Sequence, residues 1–394
     1  MPDFLTEARL IESNLTAWRR DFHRHPELRY EEHRTGAVVA EHLRGLGFSV
    51  QTGVGMTGVV GTLVGARERP VALVRVDMDA LPIQEENEVD YKSTVPGVMH
   101  ACGHDGHTAM GMGVASILAK YRGSLLGTVK LVFQPAEEGA GGARAMIADG
   151  VLENPRPDIS FGIHIQSQTP NGTYLVGDGP VLASADVFSC VVHGKGSHGA
   201  EPQKSADSIV AAAHIITALQ TIVSRNVEPL KSAIVSLGSI HGGKAFNVIP
   251  AEVELTGTIR SFDDDTRALV HRRMHEIVTS VAAAFGASAE LKIESIVPAV
   301  VNEPTVAAQT RELAARLVGA ENVSTNQLST PSDDVAEFLL AAPGCHFIVG
   351  GTFPDRETYP HHNPRFDFNE EALPLGVALL SAEVFHFLEN WPVG

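Results

Sequence analysis

Between His100 and His107 the chain reads HACGHDGH, which crowds three histidines, a cysteine and an aspartate into one short segment. Cys102 and His104 lie two residues apart, so in an extended segment both side chains face the same way. A soft thiolate beside an imidazole suits zinc or another late first-row metal. The same residues fit two other uses. Cys102 can be a small buried core residue with the histidines at the surface, or Cys and His can pair as a nucleophile and its base.

Three further segments carry candidate groups. QPAEEGAGG sets Glu137 and Glu138 side by side after the apolar run VKLVF. Adjacent carboxylates after a strand are usually a solvated loop. In a metal hydrolase, one can instead bind an ion while its neighbour takes the proton of the attacking water. FGIHI sets His164 among apolar residues, where histidine is more often a satisfied core residue than a ligand. YPHHNPRFDF holds His361 and His362 in a proline-flanked loop, whose stiff backbone suits a ligand held ready, although both would be equally at home on the surface. Jointly, a thiolate, several imidazoles and paired carboxylates at loop positions after strands predict a two-metal site.

Elements must bring these segments together. Leu5 to Phe48 has helical periodicity with a polar interruption at HRHPELRYEE. GVVGTLVG, VALVRVDMDA, GTVKLVF and DISFGIHI read as strands. Thr108 to Tyr121 reads as a buried helix, and GGARAMIADGVL as a second. Strands alternating with helices predict an α/β fold, a central mostly parallel sheet with helices on both faces, whose strand ends gather ligands. From about Ala183 the pattern becomes β-α-β-β-α-β, with a helix over roughly Ser205 to Arg225 and another opening at Ser261. The organisation predicted is therefore a discontinuous main domain, 1–183 and 298–394, interrupted by one smaller inserted domain, 184–297.

Composition narrows the class. The 394 residues include 18 histidines, an excess that matters only through position. Thirty Lys and Arg against 47 Asp and Glu leave a formal charge of −17, a field that repels phosphate backbones and argues against nucleic acid. Apolar runs fall short of the roughly 20 residues that span a bilayer, so no membrane partner is expected. The start, MPDFLTEARL, does not resemble an export signal, and three cysteines suit a reducing compartment, so a cytoplasmic protein is expected.

As a set, DFHRHPEL, VDMDALPI, HACGHDGHTAM, FQPAEEGAGGA, GIHI, GKGSHGAEP, AFNVIP, GTIRSF and HHNPRFDF resemble the M20 metallopeptidases. The likeness is to their cysteine-containing amidohydrolase branch, which includes hippurate hydrolases, N-acyl-amino-acid aminoacylases and plant auxin-conjugate hydrolases. It spans nearly the whole chain. The resemblance implies that 1–183 and 298–394 form a zinc-peptidase-like catalytic domain and 184–297 a ferredoxin-like lid and dimerisation domain, with two divalent ions per subunit, zinc or manganese foremost and nickel or cobalt as alternates. It implies that Cys102 bridges the ions, that His104 and His164 complete one set and Glu138 and His362 the other, and that Glu137 is the general base and acid. Asp79 matches the aspartate that orients a ligand imidazole. His198 matches a histidine that reaches the partner subunit's active site in a homodimer, and Asn247 and Arg260 match positions that hold a substrate carboxylate in some relatives. His361 matches no ligand position. Asp77 stands where many M20 peptidases have a ligand histidine, a departure typical of this branch, where His104 supplies the imidazole. The implied reaction is hydrolysis of an N-acyl amino acid. A biosynthetic N-acetyl-diaminopimelate-type deacetylase is the alternative, and a non-catalytic dimeric binding protein a more distant one.

Overall fold

The apolar runs bounded by glycine and proline become neighbouring strands, and the longer apolar stretches become the helices that cover them. The computed structural model describes residues 1–139 and 141–391. Contacts within the chain divide it into two units, Met1–Val181 with Val301–Leu328 and Asp334–Gly394, and Leu182–Val300 with Ser329–Asp333. The short return at Ser329–Asp333 carries no local sequence signal and joins the second unit, although it lies inside the segment 298–394 assigned by sequence to the main domain.

In the first unit, helices α1 (Phe4–Leu10), α2 (Glu12–Arg24) and α3 (His33–Gly45) precede β1 (Ser49–Val54), β2 (Gly58–Val64) and β3 (Val71–Asp77). Then come α4 (His104–Lys120), β4 (Thr128–Gln134), α5 (Gly142–Ala148), β5 (Ile159–Pro170), β6 (Tyr174–Leu175) and β7 (Gly179–Leu182). The second unit supplies β8 (Ala185–His193), β9 (Ser197–His198), α6 (Ser208–Thr221), β10 (Ala233–Gly242), β11 (Val248–Ile249), β12 (Glu252–Ser261), α7 (Asp264–Ala284) and β13 (Ser288–Val297). The chain closes with β14 (Val300–Asn302), α8 (Pro304–Val318), β15 (Val323–Ser324), α9 (Ala336–Ala341), β16 (Gly344–Thr352) and α10 (Ala372–Asn390).

Eight strands form the main sheet in the order β1-β2-β4-β3-β5-β16-β6-β15. Its centre, β4-β3-β5-β16, is parallel, while β1, β2 and β4 pair antiparallel. Every residue of β3 and β4 is buried, as expected where helices cover both faces. Alternate residues separate the two faces. Val59, Val74, Leu131 and Phe133 share a core with α4 and α10, whereas Val60, Leu73 and Val132 pack with Ala143 and Met146 of α5 and Phe338 of α9. The second unit is a four-stranded antiparallel sheet, β10-β12-β8-β13, packed with α6 and α7 around Phe188, Cys190, Leu255, Ile215 and Met274. Its βαββαβ order is that of a ferredoxin-like domain.

Some boundaries differ from the sequence reading. Helix α4 begins at His104, four residues before the expected start. Helix α6 begins at Ser208 because the Asp207 carboxylate accepts the N–H groups of Ile209 and Val210. Asp263, not Ser261, caps α7 by accepting from Thr266, while Ser261 bonds Ser184 instead. Two 19-residue stretches, Ser208–Asn226 and Ala372–Asn390, do reach the length and apolarity of a bilayer span. The second is a core helix, with 89% of its window buried, and the first is one-third buried. Isolated polar residues, with Arg225 near the end of the first and Glu383 and Glu389 in the second, interrupt the hydrophobic runs without bringing their mean hydropathy below that of a bilayer span, which is where the expectation of shorter apolar segments differs from the structure.

Candidate metal centre

Strands β4, β3 and β5 lie side by side and parallel, so the residues that follow their carboxyl ends meet at one edge of the sheet. β3 ends at Asp77 and leads to Asp79, β4 leads to Glu137 and Glu138 in a turn, and β5 carries His164. The loop into α4 adds Cys102 and His104. Between them Gly103 has φ 94°, a left-handed conformation that glycine adopts without strain. Cys102 and His104 therefore face one site through a left-handed turn at the start of a helix, and not through the strand alternation expected from their spacing. The loop before α10 brings His361 and His362. His362 has φ 63°, which is costly for a residue with a Cβ, and its backbone N–H is tied to Ala101 O at 2.8 Å. That bond joins the two histidine-bearing loops.

The side chains converge. Cys102 Sγ lies 3.5 Å from His164 Nε2, while His164 Nδ1 donates to Ile165 O at 2.6 Å. His104 Nδ1 is 2.9 Å from Asp79 O and 3.2 Å from Asp79 Oδ1. The other Asp79 oxygen accepts the Glu138 backbone N–H at 3.0 Å, so one carboxylate holds both an imidazole and the neighbouring loop. His362 Nε2 is 3.1 Å from Glu138 Oε1. The candidate ligand atoms of Cys102, His104 and Glu138 all lie within 4.8 Å of one another, and so do those of Cys102, His164 and His361. Cys102 belongs to both groups, which is where a bridging ligand has to sit. Glu137 is half-buried in the same turn, its carbonyl accepting from Gly139.

The donor set fits a cation. His104 is buried, yet its Nε2 has no hydrogen-bond partner among the described residues. Asp77 Oδ2 lies 3.8 Å from it, beyond hydrogen-bond reach. Leaving a buried nitrogen without a hydrogen bond costs about 1–3 kcal/mol, an expense that coordination removes. Burial, together with the Glu138 carboxylate, pushes the Cys102 thiol well above its usual range, so a bound cation is what would make it a thiolate. Burial and the neighbouring His107 and His361 rings push His164 well down and keep it neutral, as a ligand must be. For His104, burial acts downward but the Asp77 carboxylate and the Asp79 hydrogen bond prevail and raise it well above the ordinary imidazole range. Glu138 is held low, against the effect of burial, by His362 and His104.

The remaining candidates lie in the second unit. His198 is exposed on the two-stranded ribbon of β9 and β11, where it pairs with Val248, and its Nδ1 accepts from the Ala200 N–H at 3.1 Å. Asn247 adjoins the same ribbon, its carbonyl accepting from Gly199. Arg260, half-buried on β12, donates to Ile259 O and the Thr258 hydroxyl.

Several supporting residues escaped the sequence reading. Arg75 sits in the fully buried β3 and holds Asp77 Oδ2 at 2.8 Å and Asp334 at 2.9 Å. An arginine inside an otherwise apolar strand is a legible signal, because it demands a buried carboxylate. His107 is bonded at both nitrogens, to Asp77 Oδ1 and to the Ile165 N–H, so it backs the site without being free to coordinate. His361 is a different case, conspicuous in the sequence but matching no ligand position; the structure instead brings it close enough to Cys102 and His164 to join their group, with its Nε2 3.4 Å from the Ser167 N–H. Arg19 and His23, from the segment around DFHRHPEL, both bond Asp105, which follows His104, at 2.9 and 2.8 Å. They anchor the first turn of α4 from behind.

Comparison with known proteins gives the family. Residues 73–384 match peptidase family M20/M25/M40. The thermostable carboxypeptidase 1 of Saccharolobus solfataricus is 40% identical over 375 residues, 94% of each chain. The N-acetylcysteine deacetylase of Bacillus subtilis is 40% identical over 362 residues, covering 92% of this chain and 93% of the relative. A Bacillus subtilis structure described as a dinuclear metal binding peptidase from the M20 family superposes with a TM-score of 0.86 at 34% identity, covering 97% of this chain and 99% of that one. A buried thiol shared between two groups of potential ligands, in a chain matched along nearly its whole length, has one reading: this protein belongs to peptidase family M20/M25/M40.

Proposed function

We propose that this M20 hydrolase cleaves the amide bond of N-acyl amino acids, of the hippurate-like kind, to a carboxylic acid and a free amino acid. The observation that carries the reading is Cys102, whose sulfur is shared between the groups that contain His104 with Glu138 and His164 with His361. Cys102, His104, Glu138, His164 and His362 are the residues that would hold two divalent ions; the thiolate and imidazole donors suit zinc, while manganese, nickel and cobalt enter through the family resemblance. When bound, the pair supplies Lewis acidity that lowers the pKa of water toward neutrality. Glu137 takes the proton of the attacking water and returns it to the departing amine, which is too basic to leave unprotonated. His198 donates to the oxygen that gains charge in the transition state, and Asn247 and Arg260 hold the substrate carboxylate.

A homodimer through the second unit belongs to this reading. The edge strand β10, AIVSLGSIHG, and helix α6, SIVAAAHIITALQT, carry no Asp, Glu, Lys or Arg, and Ile240, Ile209 and Val210 are exposed on them. The opposite edge, β13, carries Glu290, Lys292 and Glu294, charges that discourage strand pairing. A two-fold contact along the uncharged side is the geometry we propose. A cytoplasmic location accords with three unpaired thiols.

A second reading, a deacetylase for N-acetyl-diaminopimelate or a related N-acetyl amino acid, is favoured by the likeness to N-acetylcysteine deacetylase. A screen of the metal-reconstituted enzyme against benzoyl- and acetyl-amino acids separates the two. Faster turnover of benzoyl substrates supports the first, acetyl preference supports the second, and no amide hydrolysis with metals bound defeats both.

A further inference from the structure

Among the buried groups that the proposed reaction leaves unused, His107 is tied most directly to the ligand cluster. It lies one turn after His104 on α4 and is fully buried. Its Nδ1 is 2.6 Å from Asp77 Oδ1, and the other Asp77 oxygen accepts from Arg75 at 2.8 Å. A carboxylate held by a guanidinium accepts and does not donate, so His107 carries its proton on Nδ1 and presents a bare Nε2. That nitrogen accepts the Ile165 backbone N–H at 2.8 Å. The β3–β5 ladder ends at the pair Arg75 and Gly162, so Ile165 lies past the last residue of β5 that β3 pairs with. The imidazole takes the place of the missing strand partner.

Ile165 is also the residue whose carbonyl accepts His164 Nδ1 at 2.6 Å. A carbonyl only accepts, so His164 is left with Nε2 as its lone-pair nitrogen, and that is the atom 3.5 Å from Cys102 Sγ. The two rings pack at 4.6 Å between centroids.

We propose that His107 is a positioning residue which, by clamping Ile165 where β5 runs on past its ladder with β3, fixes the tautomer and direction in which His164 presents Nε2 to Cys102. Its consequence for metal binding rests on the function proposed above, but its geometry does not. The test therefore begins with the metal-free protein. Two-bond proton–nitrogen correlation spectra of histidine-labelled protein, assigned with single-histidine variants, should show His107 and His164 both protonated on Nδ1. His107→Phe keeps a ring without nitrogens, and His164 should then lose its single tautomer. His107→Gln keeps one donor and one acceptor and should restore it. Asp77→Asn is the second perturbation, should the phenylalanine variant fail to fold. Its amide oxygen stays with Arg75 and its NH2 turns to His107, which reverses the donor order and should again unfix His164. Chelator competition should then show one of two ions bound about 10–100-fold more weakly in the unfixed variants. An Nε2-protonated His164 in the metal-free wild type would overturn the proposal, as would an unchanged His164 in the folded variants. If the tautomer responds but no protein binds metal, the positioning role stands and the metal reading falls.

Discussion

Asp79 offers a perturbation whose two halves can be told apart. Its Oδ1 supports His104 Nδ1 at 3.2 Å and its Oδ2 accepts the Glu138 N–H at 3.0 Å. In Asp79→Asn only one side-chain atom still accepts. The Glu138 N–H has no alternative there, whereas His104 Nδ1 keeps the Asp79 backbone carbonyl at 2.9 Å. The amide oxygen should therefore stay with Glu138, and the NH2 should face His104, replacing an attraction by a contact between donors. A hydrogen bond to a charged group contributes about 1.5–3 kcal/mol, and 1.4 kcal/mol is tenfold in a binding constant. If the ions divide as the family resemblance implies, Asp79→Asn should weaken the one that His104 and His164 would hold by about 10–100-fold, the range known for groups that orient metal ligands, and spare the one that Glu138 and His362 would hold. Asp79→Ala removes both supports and should weaken both ions. Titration of metal-free protein against a chromophoric chelator, with circular dichroism to verify folding, reads the two constants. Wild-type constants in the asparagine variant, or identical losses in the two variants, would refute the reasoning.

Three other outcomes are expected. If Glu137 moves the proton and Glu138 is a ligand, as proposed, Glu137→Gln should lower kcat by about 100-fold or more while retaining both ions, whereas Glu138→Gln should lose one ion; metal counts and kcat on the same preparations decide this. Glu383 on α10 is fully buried, and burial holds its carboxyl well above the usual range against the hydrogen bond from Thr310. A raised folded pKa means that stability is present below the ordinary glutamate range and is lost as pH climbs through the folded value. Glu383→Gln should thus melt like wild type near pH 4 and increasingly higher toward pH 8, by about 2–4 °C per kcal/mol, and a pH-independent difference in melting would contradict this. If His198 acts across a dimer, inactive His198→Ala and Glu137→Gln proteins should regain roughly a quarter of wild-type sites after random subunit exchange, and demonstrated exchange without activity would exclude that role.

Much of the fold was readable because its signals are local. Strands such as VALVRVD and VKLVFQ are buried on both faces and so are mostly apolar runs, broken only at Arg75, Asp77, Lys130 and Gln134, and the switch to β-α-β-β-α-β near residue 184 follows from alternation along single segments. The candidate ligands were readable for a different reason. Cys, His and Glu are chemically conspicuous, and parallel strands deliver their ends to one edge wherever they lie in sequence. Tertiary structure alone decided which of these residues meet. No spacing shows that Cys102 is shared between two groups of ligand atoms, that a left-handed Gly103 aims it, or that His362 is tied to Ala101. Nor does local sequence reveal that His107 takes the place of a strand partner for Ile165, because that bond exists only where the β3–β5 ladder stops. Periodicity records which face of an element is buried, whereas a hydrogen bond between segments 58 residues apart depends on where the packed sheet puts their backbones.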